Sequence, residues 1–310
     1  MHHHGTKLAG RARRTTSFAL TRSCAGSPRC RYRLRVVTGF PVLERSSLAA
    51  IADLCRRGIS QSPTLEELDG TLFAPDQPAI VRGDPGIGVV ATAKCDDGAH
   101  LRLIVVDPTL RNGGHGRALL RAAEADARAM GSKTLTIGAD APYYLWAGVP
   151  STNTDLLYLL ERLHYERREA NFDMSIDLTA IPDDIGGYVL ATASDRDEVD
   201  VWMAAHWSNW RAEVLRALDK GNLAIARDEN GISAFCAFEV NRAGFLGPVA
   251  VRPDLMGRGA GLGVLVGALH ELRRRGADRI EVSWVGPVVP YAALGGTVSN
   301  VYFVYRRALS

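Results

Sequence analysis

Residues 101–120 read LRLIVVDPTLRNGGHGRALL, and residues 246–265 read LGPVAVRPDLMGRGAGLGVL. Each stretch contains an apolar run, the motif Val-x-Pro, a glycine-rich turn and a second segment with periodic apolar residues. The two prolines, Pro108 and Pro253, stand 145 positions apart, which is close to the length of one domain. The sequence therefore predicts two copies of one structural unit.

The order of secondary structure within each copy follows from these patterns. Leu101–Val106 and Leu246–Val251 are short, apolar and β-rich, so they are predicted strands that end before the prolines. Arg117–Met130 and Leu262–Arg275 repeat apolar residues at spacings of three and four and stop at a glycine, which predicts helices. Each copy is therefore a strand, a glycine-rich loop and a helix.

A glycine-rich loop before a helix presents backbone N–H groups at the positive end of the helix dipole, an arrangement that suits phosphate. Neither copy ends in the Gly-Lys-Ser/Thr of a Walker loop, and neither has the glycine spacing of a Rossmann dinucleotide loop. Nucleotide hydrolases and dehydrogenases are therefore disfavoured.

Composition and charge bound the remaining possibilities. The chain has 310 residues, 46% of them hydrophobic and 23% charged, which suits about two globular domains. The net charge of +3 hides an asymmetry, because residues 1–35 hold nine basic side chains and no acidic one, whereas the rest is net acidic. We predict a basic, disordered extension over residues 1–31, and a folded body that binds neither nucleic acid nor membrane.

The five cysteines are scattered in the sequence, and no His cluster completes a zinc motif beside them. Their odd number and the lack of a disulfide framework favour a reducing compartment, so the protein is predicted to be cytoplasmic. Because no zinc motif is present in the sequence, it is predicted to hold no metal.

The glycine-rich loops resemble the acyl-CoA loop of the GNAT acetyltransferases, whose pattern is Arg/Gln-x-x-Gly-x-Gly/Ala after a strand. Arg111–Gly116 matches this pattern fully, and Met256–Gly261 departs from it only at Met256. For a single copy, a tight turn without a ligand is the alternative, but two copies in the same context disfavour it. The residues that the resemblance implies to bind acetyl-CoA are Val106, Arg111, Asn112, Gly113, Gly114, His115, Gly116 and Arg117 in the first copy, and Val249, Val251, Met256, Gly257, Arg258, Gly259, Ala260 and Gly261 in the second.

Each GNAT domain is expected to continue with a further strand and a helix that carries a tyrosine. Thr134–Ile137 and Arg279–Trp284 are the predicted strands. At the tyrosine position the first copy has Leu160, whereas the second copy has Tyr291 in register. Because a phenol near the sulfur can protonate the departing thiolate, Tyr291 is the predicted general acid, and aromatic packing against the sheet is its alternative.

The predicted base lies on the last of these strands. Glu281 alternates with apolar neighbours, and a carboxylate on a central strand is costly unless it is paired or used. A salt bridge to an arginine is the alternative role for Glu281. Glu239, on the preceding strand, is a second candidate for the base and a predicted residue of the acceptor site. A backbone N–H near Val249 or Val251 is the predicted oxyanion donor.

Tryptophans mark a candidate acceptor site. Trp207 and Trp210 follow a predicted helix among polar residues, a composition that suits the stacking of sugar rings or cations. Packing against the core, with both rings half exposed, is the alternative.

Further segments resemble bacterial glucosamine/glucosaminide N-acetyltransferases, which are tandem GNAT enzymes. Trp284–Pro287 and Tyr302–Arg307 are similar to their C-terminal half, and Tyr143–Pro150 is similar to an element of their first domain. The resemblance implies that Trp284 contributes to the acceptor site and that the C-terminal domain carries the chemistry.

We therefore expect an α/β (α+β) protein with two tandem GNAT domains, residues 32–178 and 187–310, each with a mixed sheet flanked by helices. The expected activity is acetyl-CoA-dependent N-acetylation of a small primary amine, preferably an amino sugar, by a monomer or homodimer. Two alternatives stay open: a GNAT enzyme for a peptide, antibiotic or thiol-cofactor-precursor amine, and a non-catalytic acyl-CoA-binding protein.

Overall fold

The structure is a computed structural model that describes residues 39–309, which belong to one compact unit. The basic extension predicted over residues 1–31 lies outside the described residues. None of the helices within residues 39–309 combines the length and apolar character that a membrane crossing requires. In chain order the helices are α1 (Leu48–Gly58), α2 (Leu65–Leu72), α3 (His115–Ala129), α4 (Thr154–Arg162), α5 (Arg196–His206), α6 (Arg211–Asp219), α7 (Leu262–Arg274) and α8 (Val289–Ala292).

Twelve strands form one mixed sheet in the order β1-β2-β3-β4-β12-β6-β11-β10-β9-β8-β7, and β5 pairs with β12 beside this row. In chain order they are β1 (Ile80–Asp84), β2 (Gly88–Cys95), β3 (Gly98–Val106), β4 (Thr134–Ile137), β5 (Val149–Pro150), β6 (Glu166–Asp177), β7 (Val189–Leu190), β8 (Leu223–Asp228), β9 (Gly231–Phe238), β10 (Phe245–Val251), β11 (Arg279–Val282) and β12 (Thr297–Ala308). The predicted mixed α/β fold class is confirmed.

Both copies of the strand–loop–helix unit form as predicted. β3 leads into α3, and β10 leads into α7, each through a short 3-10 turn that begins at the proline. Both helices end in a Schellman motif: Gly131 N–H bonds to Arg128 O, and Gly276 N–H bonds to Arg273 O. Gly131 and Gly276 have φ angles of 77° and 95°, a backbone region in which glycine avoids a Cβ clash.

The two copies exchange their last strands. β6 leaves the first copy and pairs with β11 of the second, while β12 leaves the second copy and lies between β4 and β6. Because of this exchange β4 and β11 both lie inside the sheet, so neither leaves an unpaired edge. The division at residues 178 and 187 remains a prediction for the chain, and the shared sheet joins the two copies through main-chain hydrogen bonds.

Helices cover the sheet on both faces in each copy. In the first copy, α3 and α4 pack over one cluster of buried apolar side chains, and α1 and α2 pack over another. In the second copy, α7 and α8 pack over the cluster around Phe238, and α5 and α6 pack over that around Phe235. Burial of these side chains holds each loop and helix start at a fixed position above the sheet.

Candidate functional site

The first glycine-rich loop leaves the start of α3 open to a ligand. Asn112 and Gly114 have φ angles of 61° and 87°, and no side chain caps the helix at Gly114. The N–H groups of the first helical turn therefore have no intrahelical partner and carry the positive end of the helix dipole. This is the local geometry of an anion-binding site.

A cavity of about 1240 Å³ surrounds this loop, between α3, α4 and the end of β3. Arg82 and Arg111 line it and have carboxylate partners, Asp126 at 2.7 Å and Asp155 at 3.9 Å, respectively. Arg117 and Arg121 also line it; they are exposed and have no ion-pair partner within residues 39–309. The cavity is large enough for a cofactor and carries an excess of positive charge that suits phosphates.

The sheet opens beside the cavity. β3 pairs with β4 only as far as Leu101, although β3 continues to Val106 along β2. The N–H of Asp107 donates to Ile87 O on the β2 side at 2.9 Å, and the direction of N–H groups alternates along a strand. The peptide N–H groups of Ile104 and Val106 therefore face the gap between β3 and β4.

A second, smaller cleft of about 150 Å³ meets the large cavity at this gap. The two spaces share lining residues, among them Ile104 and Asn153. The cleft has a mixed aromatic and polar lining. Its polar and aromatic members are Ser60, Gln61, Arg102, Asp140, Tyr144, Trp146, Thr152, Asn153, Asn300 and Tyr302. A ligand in the cavity and a small polar molecule in the cleft would thus approach each other across the gap.

The second loop has similar backbone geometry but a different surrounding. Gly257 and Gly259 have φ angles of 75° and 79°, and the loop is largely exposed. Because Arg252 N–H donates to Ser233 O on the β9 side, the peptide groups of Val249 and Val251 face the gap beside β11. There the Trp207 indole Nε1 donates to Val251 O at 3.0 Å, so one gap-facing carbonyl already has a partner.

Chain segment 182–188 covers the outer face of α7. A Cβ on Gly263 would stand 3.0 Å from Gly186 O, and a Cβ on Gly267 would overlap the Tyr188 ring. Further along the helix, the His270 ring Nε2 lies 2.8 Å from the carbonyl of Pro182. Aligning Gly116 with Gly261 shows that the matching face of α3 is the one that lines the large cavity.

Residues 48–144 match the model of the acetyltransferase (GNAT) family. The chain contains a GNAT acetyltransferase domain. No curated protein matches the chain.

Solved structures agree with this assignment for the whole fold. The chain is similar to a GCN5-related glucosamine N-acetyltransferase region of a fungal multi-domain GH3 β-N-acetylglucosaminidase, with a TM-score of 0.70, 20% identity and 88% of this chain covered. The chain spans 38% of the length of that fungal protein. It is also similar to a GCN5-related N-acetyltransferase from Sphaerobacter thermophilus, with a TM-score of 0.64, 18% identity and coverage of 86% of this chain and 94% of that one.

A third similar structure has the tandem arrangement. It is a tandem GNAT protein from the clavulanic acid biosynthesis pathway, with a TM-score of 0.67, 16% identity and coverage of 88% of this chain and 98% of that one. At these identities the likeness concerns the fold, which is therefore that of a tandem GNAT protein.

A buried polar group closes the cleft of the GNAT domain from the side of the second copy. Tyr144 is buried beside the carboxyl of Glu213 on α6, and burial together with that neighbouring charge raises the pKa of the phenol well above its usual range. Burial raises the pKa of Glu213 to about 8. The Asn241 amide lies 3.5 Å from Glu213, and Trp284 packs edge-on against Tyr144 at 5.5 Å. The phenol of Tyr144 thus lines the cleft, and behind it lies the carboxyl of Glu213, whose pKa is raised.

Seven of the eight first-copy residues predicted to bind the cofactor line the large cavity of the GNAT domain; these are Val106, Arg111, Asn112, Gly114, His115, Gly116 and Arg117. Gly113 stands behind them, where a Cβ would lie 3.2 Å from the His115 ring. Sequence reasoning therefore located one wall of the GNAT cavity.

The two predicted catalytic residues lie on opposite faces of the sheet. Tyr291 is buried in the same apolar cluster as Ile280 and Val282, so the side chain of Glu281 between them points to the other face. Burial and the nearby Cys236 raise the pKa of Tyr291. Glu281 accepts a hydrogen bond from the Ser299 hydroxyl and has no arginine partner within residues 39–309. Their catalytic roles remain predictions.

Glu239 is held in a turn. Its φ angle is 49°, its carboxylate accepts the N–H of Gly244 at 2.9 Å, and Arg275 lies 3.6 Å away. This turn precedes β10, whereas the second glycine-rich loop follows β10. The length of the strand therefore separates Glu239 from the second glycine-rich loop, and its role at the acceptor site remains a prediction.

The three tryptophans predicted at the acceptor site, Trp207, Trp210 and Trp284, all pack against other aromatic side chains. Trp207 and Trp210 are half-buried and stack on each other with ring centroids 5.2 Å apart. Trp284 has a φ angle of 53° and donates its backbone N–H to Asp173 at 2.8 Å. The Trp284 ring packs on Tyr144, which lines the cleft of the first copy, so Trp284 lies beside that cleft.

Sequence reasoning missed Asp140 and Glu213. Asp140 follows β4 in an irregular loop, so no periodicity marks it. Glu213 could have been found from the sequence, because it lies on the buried face of α6 with Val214 and Ala217. A carboxylate at such a position is costly unless it has a role.

Proposed function

We propose that this chain is an acetyl-CoA-dependent N-acetyltransferase for a small primary amine, preferably an amino sugar. The observation that carries the proposal is the meeting of a large cationic cavity and a small polar cleft across an opening in the sheet. Acetyl-CoA supplies an activated acetyl group as a thioester, and its phosphates match the charge of the cavity.

In the proposed reaction the amine nitrogen bonds to the thioester carbonyl carbon, and the carbon–sulfur bond breaks. The ammonium form of the acceptor first loses one proton, and the nitrogen loses a second one after it has attacked. The CoA thiolate takes up one proton, so the products are an amide, CoA thiol and one released proton. Tyr144 and Glu213 are the proposed route for the proton that leaves the acceptor, since Tyr144 lines the cleft and Glu213 lies against its phenol. The N–H groups of Ile104 and Val106 are the proposed donors to the carbonyl oxygen.

The cleft supports a small acceptor. Its volume of about 150 Å³ is below the range typical of drug-sized ligands, so a peptide would have to lie mainly outside it. Tyr144, Trp146 and Tyr302 contribute aromatic side chains to the lining, which suits a sugar ring, and Asn300 and Thr152 contribute polar side chains. The similar fungal region is described as a glucosamine N-acetyltransferase, which agrees with this acceptor class.

The assignment predicted from the sequence puts the chemistry in the second copy, with Tyr291 as acid and Glu281 as base. Gap-facing peptide groups at Val249 and Val251 favour it. The covered face of α7 and the Trp207 contact to Val251 favour the first copy instead. We therefore propose the first copy as the donor site.

The test is product formation from acetyl-CoA with a panel of amines, followed by mass spectrometry. The panel holds amino sugars, aminoglycosides, a peptide amine and a cysteinyl cofactor precursor. Rapid acetylation confined to amino sugars is the expected result. Acetylation of another class of amine in the panel would mean that the proposed amino-sugar acceptor is wrong. Tight CoA binding without turnover of any amine would favour a non-catalytic acyl-CoA-binding protein.

A further inference from the structure

Three residues with metal-binding side chains converge beside the cleft, although they are far apart in sequence. Cys95 ends β2, His100 lies on β3 and Asp140 follows β4. The Cys95 sulfur, a carboxylate oxygen of Asp140 and a ring nitrogen of His100 all lie within 4.8 Å of one another. Pairing of β2 and β3, with β4 alongside β3, brings them to one place.

The His100 ring is held in a way that leaves one nitrogen without a partner. Its Nε2 lies 2.8 Å from an oxygen of Asp97, whereas Nδ1 is buried and has no hydrogen-bond partner within residues 39–309. The side chain is 7% exposed. A buried ring nitrogen without a partner is costly, and a carboxylate on the opposite nitrogen is the usual support of a metal-binding histidine.

Asp140 and Cys95 hold a proton where a metal ion would bind. Arg102 pairs with Oδ2 of Asp140, which leaves Oδ1 to accept the Cys95 thiol at 2.9 Å. The ion pair with Arg102 also fixes the orientation of the Asp140 carboxylate within a buried site. Loss of the thiol proton would turn this contact into two adjacent anionic ligand atoms.

We propose that Cys95, His100 and Asp140 form a binding site for a divalent zinc-type ion. Sulfur, imidazole nitrogen and carboxylate oxygen are the ligand types that Zn²⁺ takes, and three protein ligands leave a fourth position for water. Ligand bonds of about 2.0–2.3 Å in a tetrahedron put ligand atoms roughly 3.3–3.8 Å apart. The widest pair, within 4.8 Å, must close by about 1 Å, and the Cys95–Asp140 pair at 2.9 Å must open by roughly 0.5 Å as the thiol proton leaves. On binding, the Cys95 thiol loses its proton to solvent and a metal–thiolate bond forms.

The site was not predicted from sequence, because its ligands come from three elements and have no zinc-motif spacing. Since Arg102 and Asp140 also line the 150 Å³ cleft, a bound ion would stiffen one wall of it. The proposal does not depend on the acetyltransferase activity.

The experiment titrates Co²⁺ into the full chain and records the thiolate-to-cobalt absorption in the near ultraviolet. This band requires a sulfur ligand, so cobalt held by His2, His3 and His4 does not produce it. The background variant Cys24→Ser/Cys30→Ser removes the cysteines outside the described residues. Cys95→Ser tests the site, and Cys236→Ser, which removes a buried cysteine of the second copy, is the matched control.

The expected result is a band that saturates at one equivalent of Co²⁺, disappears in Cys95→Ser, persists in Cys236→Ser and is displaced by Zn²⁺. Asp97→Asn, at an exposed position, should keep the fold and weaken Co²⁺ affinity by about 10- to 100-fold. No band in the background variant, or a band that persists in Cys95→Ser, would overturn the proposal. If Cys95→Ser fails to fold by circular dichroism, unchanged affinity in Asp97→Asn and His100→Gln would overturn it instead.

Discussion

The ring of Tyr188 lies directly on Gly267 of α7, where no larger residue would leave room for it. The hydroxyl of the same tyrosine donates a hydrogen bond to Asp184 at 3.0 Å and accepts one from Arg274 on α7 at 3.1 Å. These two bonds hold the Tyr188 ring in place on the helix. In the alignment of the two copies Gly267 corresponds to Ala122, which lines the cavity of the first copy. The copies therefore share a fold but differ in which helix face is available to a ligand.

Gly267→Ala should destabilise the protein, because the new methyl group would overlap the Tyr188 ring. We expect a loss of about 1–3 kcal/mol in the free energy of unfolding, the usual cost of overpacking. Gly70→Ala is the matched control, since Gly70 is also in a helix and a Cβ there meets only the end of Arg216 at 4.0 Å. The control should be neutral or stabilise by up to about 1 kcal/mol. Equal effects in urea denaturation would contradict this packing.

The sequence predicted the parts of the fold that rest on local patterns. Apolar periodicity predicted the strand–loop–helix units, and the glycines after the helices predicted their ends at Gly131 and Gly276. The strand exchange of β6 and β12 was not, because register between distant strands depends on tertiary packing. The loop residues of the first copy could be predicted because a glycine-rich turn before a helix is visible in the local sequence.

The candidate acceptor site depends on contacts between the two copies, which no local pattern reports. Tyr144 comes from a loop of the first copy, whereas Glu213 lies on α6 and Trp284 follows β11 of the second. For Glu239 the position on a predicted strand suggested a role in the site. In the structure its carboxylate instead accepts the Gly244 N–H and closes a turn.

Glu213→Gln and Tyr144→Phe should each lower kcat for the acetylated amine by about 10²-fold or more, since general base catalysis contributes about 10²–10⁴-fold. In the wild type, kcat should rise with pH through about 8, the pKa of Glu213, because the carboxylate form accepts the proton. Steady-state kinetics from pH 6 to 9.5 measures both effects, and this limb of the profile should vanish in Glu213→Gln.

Glu271→Gln is the control for that experiment. Glu271 is also a buried helical carboxylate, but it pairs with Arg274 and Arg275 on α7, away from the cleft. Its kcat should stay within about threefold of wild type, a change that corresponds to well under 1 kcal/mol. A wild-type pH profile retained in Glu213→Gln would remove Glu213 from the reaction.

The same carboxyl makes stability fall as pH rises. Burial raises the pKa of Glu213 in the folded protein to about 8, so the folded state holds a proton that the unfolded state releases near pH 4.5. The free energy of unfolding should therefore decrease between about pH 5 and pH 8. Urea denaturation at both pH values should show a smaller decrease in Glu213→Gln, and an unchanged difference would mean that Glu213 is not buried in its neutral form.

Tyr291→Phe separates the two copies as sites of chemistry. Chemistry in the second copy predicts a loss of turnover by about 10²–10⁴-fold on removal of the general acid. With the donor in the first copy, we expect turnover within about threefold of wild type, together with a modest change in stability, because Tyr291 is buried in the apolar core. Steady-state kinetics on a variant with wild-type circular dichroism decides between them.

Calorimetric titration of acetyl-CoA into wild type, Arg117→Glu and Arg258→Glu tests the proposed donor site most directly. Both arginines are exposed, both lie at a glycine-rich loop, and neither has an ion-pair partner within residues 39–309. A donor site in the first copy predicts that Arg117→Glu weakens binding by about tenfold or more, since a charge-assisted contact is worth about 1.5–3 kcal/mol. Arg258→Glu should then bind like wild type, and a loss confined to Arg258→Glu would contradict the account by moving the donor to the second copy.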